Sequence, residues 1–434
     1  PLLLCYLVTH HSARAQVQVV EGVWQWPDQG LNLYDPNGDT FGGAYVFDLL
    51  PYGDKLIVGG IFHYAGGIEA RNLAAWDGGA WSVLGENDPN GTVRVLLEAD
   101  GALYVGGGLR YVGELLVNGL ARWDGQSWAA LGNGPSQGVF ALAWWDDGAG
   151  PTIYAGGMLG NARIRKWTGS AWVSVGGGCD LDVNALAVFD DGTGPALYAG
   201  GWFDHCGGVA TSRIAKWDGL AWTPLGQGIT DDNGFVNALA VYDDGTGPAL
   251  YAGGQFNEID GMPIDSLARG GGKSWSPVGN PGLVPQAFVW QLRVVDDGTG
   301  QVLMMAAGKV QKWDGKTWTR YMPQPGPMIT AAVFPGPDGP KTLHVGGEIP
   351  LNIGEPPQQI RVNIARFDGP TAGGAACGDF DGDGMVTQAD LGILLANFDC
   401  TGNPGDCPGD TDNDGDVDQS DLGTLLAHFG QECG

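Results

Sequence analysis

The stretch VNALAVFDDGTGPALYAGG, residues 183–201, and the stretch RIAKWDGLAWTPLG, residues 213–226, decide the fold class of this chain. They contain four short apolar runs, VNALAVFDD, LYAGG, RIAKW and AWTPLG, separated by Gly, Pro and Asp turn signals. Short runs bounded in this way are typical of β-strands, and Asp-Gly between two Trp residues is a favoured hairpin turn. The unit therefore predicts a four-stranded antiparallel sheet.

The same unit recurs through residues 16–370. Strand ends of the Gly-Gly type close at residues 60, 107, 157, 201, 254 and 347, with a weakened copy at residue 308, so successive copies lie 39 to 54 residues apart. A spaced Trp pair follows most copies, as WDGGAW, WDGQSW, WTGSAW, WDGLAW and WDGKTW, with a degenerate GGGKSW. Four-strand repeats of this length predict propeller blades, and seven copies predict a seven-bladed β-propeller. The pattern resembles kelch-type propellers, a likeness that implies a fold and no activity.

The two ends of this region predict how the circle closes. The last copy, VNIARFDGPT (residues 362–371), lacks a fourth strand, whereas VVEGVWQWPDQG (residues 19–30) precedes any complete repeat. We expect the strand around Trp24 and Trp26 to pair with residues near Arg366 and to complete the last blade. Closure of this kind removes the exposed edge that an open array would present.

A different pattern occupies residues 377–434. DTDNDGDVDQSD (residues 410–421) places oxygen ligands at loop positions 1, 3, 5, 7, 9 and 12 and Gly at position 6, and DFDGDGMVTQAD (residues 379–390) repeats this frame. Ligands at these positions are what Ca²⁺ requires in an EF-hand-type loop. The sequence thus predicts two Ca²⁺ ions. Their predicted ligands are Asp379, Asp381, Asp383, the Met385 carbonyl, Thr387 and Asp390 in the first loop, and Asp410, Asp412, Asp414, the Asp416 carbonyl, Asp418 and Asp421 in the second.

An apolar stripe follows each loop at helical spacing: Leu391, Leu394, Leu395 and Phe398, then Leu422, Leu425, Leu426 and Phe429. Two loop–helix units with Asp at position 12 resemble a type I dockerin. The resemblance covers residues 377–434 and implies a small α-helical domain that folds on calcium and docks onto a cohesin-like protein or a cell-surface scaffold. It implies partner-reading residues at loop positions 10 and 11, here Gln388, Ala389, Gln419 and Ser420. The chain departs from the family in having no Lys or Arg after Arg366.

The amino terminus and the charge indicate an exported protein. PLLLCYLVTHHSARAQ resembles the end of a secretory signal peptide with an A-x-A cleavage site, so we expect a partial signal peptide over residues 1–15. A buried N-terminal strand is the alternative interpretation. A net charge of −28 argues against nucleic acid as a partner, and no later apolar run is long enough to span a bilayer. Residues 371–376 are the predicted linker, and the protein is predicted to be secreted or at the cell surface.

The cysteines fit an oxidising compartment. Six remain when Cys5 is left out with the predicted signal peptide, and an even number is consistent with disulfides. Cys179 stands at the start of the first strand of one blade, and Cys206 follows the second strand of the same blade. We therefore expect them to form a disulfide. In the tail, the preferred disulfides are Cys377 with Cys433 and Cys400 with Cys407, because each joins two parts of the chain that are expected to meet.

The expected binding surface is the face that carries the connections between the second and third strands and between consecutive blades. These connections vary widely, and variable loops on a rigid scaffold commonly carry recognition. First-strand residues that enter the central channel at this face are predicted to be Arg94, Phe140, Asn184, Asn237 and Trp290. They could hold a polysaccharide or an extracellular protein ligand, or they could simply line a watery channel.

Three functions follow from these patterns. The first is a secreted calcium-binding protein whose propeller recognises a ligand and whose dockerin-like module docks it elsewhere, with no catalytic residues. The alternative is a polysaccharide-degrading hydrolase or lyase, which would need two carboxylates or a Tyr/His/Arg set converging on the loop face. Loop acids exist for this role, at Glu69, Glu114, Asp204, Glu258 and Glu348. The third is a structural surface protein without a specific ligand.

Overall fold

The computed structural model describes residues 18–25, 31–32, 45–136, 138–270, 274–282, 287–322, 328–335, 341–353, 358–370 and 388–398, with residues 417, 422, 425 and 426. The chain divides into two compact units, one of Pro1–Val19 with Trp24–Phe367 and one of Val20–Val23 with Asp368–Gly434. The first unit is almost entirely β-structure.

The first unit is a β-propeller built from antiparallel sheets. Among the described residues, five sheets have four strands and one has eight. Each four-stranded sheet is ordered as its strands occur in the chain, so we name the strands inner, second, third and outer. The inner strands are Tyr45–Tyr52, Val93–Ala99, Val139–Asp146, Val183–Asp190, Phe235–Asp243, Gln291–Asp296 and Met328–Pro335.

The remaining strands follow the same order in each repeat. The second strands are Lys55–Ile61, Ala102–Gly107, Pro151–Gly157, Pro195–Gly201, Pro248–Gln255, Gln301–Ala306 and Lys341–Ile353. The third strands are Leu73–Trp76, Leu120–Trp123, Ile164–Trp167, Ile214–Trp217, Leu267–Gly270, Val310–Trp313 and Gln358–Pro370. The outer strands are Trp81–Ser82, Trp128–Ala130, Trp172–Ser174, Trp222–Pro224, Ser276–Pro277 and Trp318–Met322. In the eight-stranded sheet the strand Gln18–Gln25 lies between Trp318–Met322 and Gln358–Pro370.

Short hairpins extend the loops between second and third strands. They pair Tyr64–Ala65 with Ile68–Glu69, Tyr111–Val112 with Leu115–Leu116, His205–Cys206 with Val209–Ala210 and Glu258–Ile259 with Met262–Pro263. Leu31–Asn32 adds a third strand to the first of these hairpins. The sequence predicts variable loops for these segments, and the hairpins are a finding of the structure.

The Gly-Gly strand ends explain how neighbouring sheets pack. A Cβ atom on Gly200 would lie 2.5 Å from a methyl group of Val236, which belongs to the next inner strand. The same overlap recurs round the molecule, and a Cβ on Gly346 would lie 2.5 Å from Val46 of the first inner strand. Because only glycine allows this approach, the first glycine of each pair sets the contact between blades. The inner strands therefore follow one another in a closed circle, from Tyr45–Tyr52 to Met328–Pro335 and back.

The paired Trp residues join sheets at the outer edge. Trp217 and Trp222 are directly opposite each other on neighbouring strands, with ring centroids 5.4 Å apart. The indole N–H of Trp222 donates a hydrogen bond to the Val175 carbonyl of the preceding sheet, at 3.1 Å. Trp128, Trp172 and Trp318 make the equivalent bond, each at 2.9 Å. Each of these sheets is thus fastened to the one before it.

A pair of substitutions tests this bond. Trp222→Phe should lower the free energy of unfolding by about 1–2 kcal/mol more than Trp217→Phe does, because the two changes remove the same ring volume but only the first leaves a carbonyl unpaired. Trp217 is a matched control, since its buried indole N–H has no hydrogen-bond partner among the described residues. Urea unfolding of the two variants gives the difference, and equal losses would show that the bond contributes nothing.

In the second unit the described helix is Gln388–Ala396. Leu394, Val417 and Leu425 are fully buried there, and Leu391, Phe398 and Leu422 pack against them. The apolar stripes of the two predicted loop–helix copies therefore meet in one cluster. The predicted stripes were wrong at one position in each copy, because Leu395 and Leu426 are about half exposed.

Candidate functional site

A cavity of 270 Å³ lies on the propeller axis among the inner strands. It is lined by all five predicted channel residues, Arg94, Phe140, Asn184, Asn237 and Trp290. The structure therefore brings these residues together, although they come from five different repeats. Further side chains at its wall and floor, which the sequence analysis did not single out, are Phe47, Asp48, Gln291, Arg293 and Ile329.

A β-bulge places the wall residues. The pairing register shifts between Val183 and Ala185, so Asn184 is the extra residue in its inner strand. A bulged residue leaves the regular alternation and can be aimed in a new direction. Equivalent shifts occur at the positions of Phe140 and Asn237. The glycine opposite the bulge is also required, because a Cβ on Gly201 would overlap the Asp182 carbonyl.

The floor of the cavity is a buried polar network. Asp48 is 3 % exposed, and its carboxylate accepts hydrogen bonds from Arg293 at 2.6 Å and from the Gln291 amide at 2.9 Å. The backbone N–H of Leu96 donates to the other carboxylate oxygen at 2.8 Å. Gln291 in turn accepts a bond from the Thr330 hydroxyl at 2.8 Å. This network joins residues about 245 positions apart in the chain, and it connects inner strands of different blades through their side chains.

Arg94 has a distinct environment in the wall. Its guanidinium lies over two aromatic rings, 5.0 Å from the centre of the Phe47 ring and 4.7 Å from that of Phe140, although the residue as a whole is exposed. Burial lowers the pKa of Arg94, and no carboxylate in the described part of the chain opposes this effect. An arginine nonetheless stays protonated at neutral pH. The cavity therefore contains a cation held by aromatic contacts.

Aromatic side chains continue from the cavity across the loop face. Trp290 is 39 % exposed and lies against Phe288, with centroids 3.9 Å apart. Phe288 contacts the edge of Phe235, and Phe235 stacks on Trp202, which is 40 % exposed. We name these four residues the aromatic strip. Only Trp290 was a predicted member. The other three sit in loops or at a strand start, where sequence spacing gives no orientation.

The disulfide between Cys179 and Cys206 is present, as predicted. The two cysteines also form an isolated β-bridge, at the same place where Pro89 bridges Val112 and Ile229 bridges Ile259 in other repeats. The covalent bond thus reinforces one of a set of equivalent loop contacts. Beside it, the His205 ring nitrogen lies 3.1 Å from the Asp180 carboxylate.

The recurring carboxylates of the opposite face are structural. Asp218 accepts hydrogen bonds from the backbone N–H groups of Leu220 and Ala221, each at 2.8 Å, and caps its own turn. These backbone bonds lower the pKa of Asp218. Thr168 bonds Ala171 in the same way where the acid is absent. The interpretation of this Asp as a turn residue is therefore correct.

A second set of acids closes the turns between inner and second strands. Burial alone would raise the pKa of Asp191, but hydrogen bonds from Lys216, Thr193 and Tyr198 lower it to about 2. The Lys216 ammonium lies 2.6 Å from this carboxylate and the Tyr198 hydroxyl 3.1 Å from it. Burial and the Asp191 charge raise the pKa of Tyr198 well above its usual value. Asp147 and Asp244 make similar networks.

This network predicts a loss of stability in acid. The folded-state pKa of Asp191 is depressed, so its contribution is present above about pH 4 and is lost as the pH falls through about 2. Asp191→Asn should lower the free energy of unfolding by about 2 kcal/mol at pH 6 and by almost nothing at pH 2. Urea unfolding at the two pH values measures this, with Asp54→Asn in an exposed turn as the control. Equal losses at both pH values would contradict the assignment.

The loop acids whose side chains the structure describes do not line the cavity, which holds for Glu69, Glu114, Asp204 and Glu258. Among the described residues that line it, Asp48 is the one carboxylate, and its oxygens are already occupied by donors. Glu69 pairs with Arg71 and Asp204 with Arg213 in outlying loops. Glu258 accepts a bond from Thr230, and the Glu348 side chain lies outside the described residues. No observation therefore favours the hydrolase or lyase interpretation.

Most predicted residues of the calcium loops lie outside the described part of the chain. This holds for all predicted calcium ligands except Asp390, and for Gln419, Ser420 and the cysteines at 377, 400, 407 and 433. Gln388 is exposed at the start of the helix, whereas for Ala389 and Asp390 only the helical backbone is described. Within the described residues, no group of three or more His, Cys, Asp and Glu side chains is arranged to hold a metal ion. No described helix is long and apolar enough to cross a membrane.

Comparison with known proteins gives similarity at the level of the fold. No protein-family model and no curated protein sequence matches the chain. The extracellular domain of a hybrid two-component system from B. thetaiotaomicron is 13% identical, with a TM-score of 0.49, over 79% of this chain and 40% of that one. An ancestral GH74 enzyme is 15% identical, with a TM-score of 0.48, over 79% of this chain and 47% of that one. A computationally designed protein, Ika8, is 12% identical with a TM-score of 0.45, over 81% and 99% of the two chains. The chain spans less than half of the first two structures, and similarities of this size say nothing about its ligand.

Proposed function

We propose that the propeller is a recognition module that binds its ligand in the axial cavity and along the aromatic strip. The observation that carries this proposal is the convergence of Arg94, Asn184, Asn237 and Trp290 on one cavity whose carboxylate, Asp48, is neutralised. A cavity whose described lining offers a cation, amides and an exposed indole is suited to binding a polar ligand.

The full circle in this proposal has seven blades. The eight-stranded sheet would count as two blades, with Gln18–Gln25 as the outer strand of the last one. The support is the order of its strands and the circular succession of the inner strands. A rigid circle holds the wall residues at fixed separations, which lowers the ordering cost of binding.

The tail in this proposal is a dockerin-like module that holds two Ca²⁺ ions and docks the protein to a cohesin-like or cell-surface partner. The donor set fits the metal, because carboxylates and one backbone carbonyl per loop are hard oxygen ligands. The Leu394–Val417–Leu425 cluster supports a shared core between the two copies. Calcium would neutralise the crowded aspartates. Export is part of the same proposal, since extracellular calcium is high enough for weak loops.

Binding to immobilised glycans and peptides tests the recognition function. The full chain is expected to bind a subset of such a library, and Trp290→Ala should weaken that binding at least tenfold. Leu220→Ser is the matched control, because Leu220 is 90 % exposed in a turn between third and outer strands. A ligand that binds Trp290→Ala as tightly as the wild type would contradict the assignment of the site.

A further inference from the structure

Arg94 has no counter-ion among the residues that the structure describes. The other arginine of the cavity, Arg293, pairs with Asp48 at 2.6 Å, and Arg163 pairs with Asp182 at 2.8 Å. Arg94 makes no hydrogen bond or ion pair with the described residues, and its described contacts are the rings of Phe47 and Phe140. Its charge is therefore available to something that enters the cavity.

The two rings also restrict how Arg94 can be approached. A guanidinium carries five N–H donors on the edge of its plane, and contacts with aromatic rings do not satisfy these donors as a carboxylate does. An edge of this kind forms two parallel hydrogen bonds with a carboxylate, which is planar and has matching geometry. The contacts with Phe47 and Phe140 reduce the freedom that Arg94 would lose on binding.

The wall opposite Arg94 has a different chemistry. Trp290 comes from the far side of the circle of inner strands and offers an exposed indole held by Phe288. An exposed aromatic face of this kind packs against an apolar ring surface. Between the two walls, the amide of Asn184 forms no hydrogen bond with a described residue. An amide both donates and accepts, as a hydroxyl does.

We propose that the cavity binds the terminal uronic acid residue of a saccharide, an inference that rests on the recognition function proposed above. The sugar carboxylate would pair with Arg94, its C–H face would lie on Trp290, and its hydroxyls would bond Asn184. A cavity of 270 Å³ is at the small end of ligand sites, so it takes one sugar ring, and the aromatic strip is available to the rest of the chain.

The strong negative charge of the protein does not oppose this assignment at short range. Exposed charges are screened beyond about 8 Å at physiological ionic strength. Inside the cavity the Asp48 charge is compensated by Arg293, so Arg94 sets the local potential. A free peptide carboxylate shares the anionic group, but it does not provide several hydroxyls together with an apolar ring face.

Isothermal titration of the full chain tests the proposal with matched probes. The probes are short oligogalacturonides and glucuronic-acid-ended oligosaccharides, the methyl esters of both, and a peptide with a free C-terminal carboxylate. We expect at least one acidic saccharide to bind and its methyl ester to bind at least tenfold more weakly. Arg94→Gln should remove this difference, Arg94→Lys should restore part of it, and Arg110→Gln, an exposed arginine of the same face, should leave it unchanged.

The outcomes separate this inference from the function it rests on. Equal affinity for the acid and its ester, or no effect of Arg94→Gln, would overturn the carboxylate assignment, while a Trp290-dependent ligand would still support recognition. Binding of the peptide but of no saccharide would overturn the saccharide assignment. The ester comparison uses the wild-type protein, so it remains decisive even if an Arg94 variant fails to fold.

Discussion

Removal of calcium from the 434-residue chain is expected to abolish the helix signal of residues 377–434 and to leave the propeller sheets intact. Six aspartates lie within residues 410–421, and without cations their mutual repulsion opposes the fold of the loops. Among the described residues, the shared cluster has three fully buried members, Leu394, Val417 and Leu425, and domains as small as this one often require a bound metal to fold. Metal binding and folding are therefore expected to be coupled in this unit.

Circular dichroism of the full chain in calcium and in chelator measures the effect. The helical band should disappear in chelator and return when calcium is added in excess, while the sheet signal is unchanged. Combined Asp390→Ala and Asp421→Ala substitutions should have the effect of the chelator. Asp399→Ala, which removes an acid between the loops, is the control. A helix signal that survives chelation would exclude calcium as the folding ligand.

Asp48→Ala is expected to destabilise the propeller by about 3–5 kcal/mol, because it leaves the Arg293 charge buried without its partner. Arg293 is 19 % exposed at the side chain and Asp48 4 %, so water replaces little of the lost interaction. The same substitution frees the backbone N–H of Leu96 and the Gln291 amide. The expected loss is large because one carboxylate serves three inner strands.

Urea unfolding of single and double variants tests the contribution of the Asp48–Arg293 pair to stability. Asp48→Ala combined with Arg293→Met should recover part of the lost free energy, since no uncompensated charge remains. Asp54→Ala, in an exposed turn, should change the free energy of unfolding by less than about 0.5 kcal/mol. A loss below about 1 kcal/mol for Asp48→Ala would mean that the network does not hold the circle together.

The strand pattern could be predicted from the repeat because its signals are local. Gly-Gly ends, Asp-Gly turns and opposed Trp residues each specify a conformation within a few residues. The positions of Asn184 and Trp290 followed from counting along the inner strands. Their convergence on one cavity depended only on the circular arrangement.

The polar floor of the cavity could not be predicted in this way. Asp48 stands where most other repeats have Ala or Val, and Arg293 stands where they have Ala or Leu. That departure was the available signal, but nothing in the sequence pairs residues 245 positions apart. The aromatic strip was missed for a related reason. Trp202 and Phe288 lie outside regular strands, so side-chain alternation says nothing about where they point.

The tail shows the limit of a periodic pattern. Leu394 and Leu395 both fit the helical stripe, yet only Leu394 is buried. Leu426 repeats the exposure of Leu395 in the second copy. The apolar spacing predicts which face of each helix is buried. How many residues of that face are buried depends on how much of it the other loop–helix unit covers.

Affinity measured on a variant with a blocked cavity tests the central claim most directly. Asn184→Trp fills the space between Arg94 and Trp290 from a bulged, partly exposed position, so the sheets can remain as they are. For the ligand selected from the glycan and peptide library, the account predicts at least a tenfold loss of affinity with an unchanged thermal unfolding midpoint. Undiminished affinity in this variant would show that the axial cavity is not the recognition site.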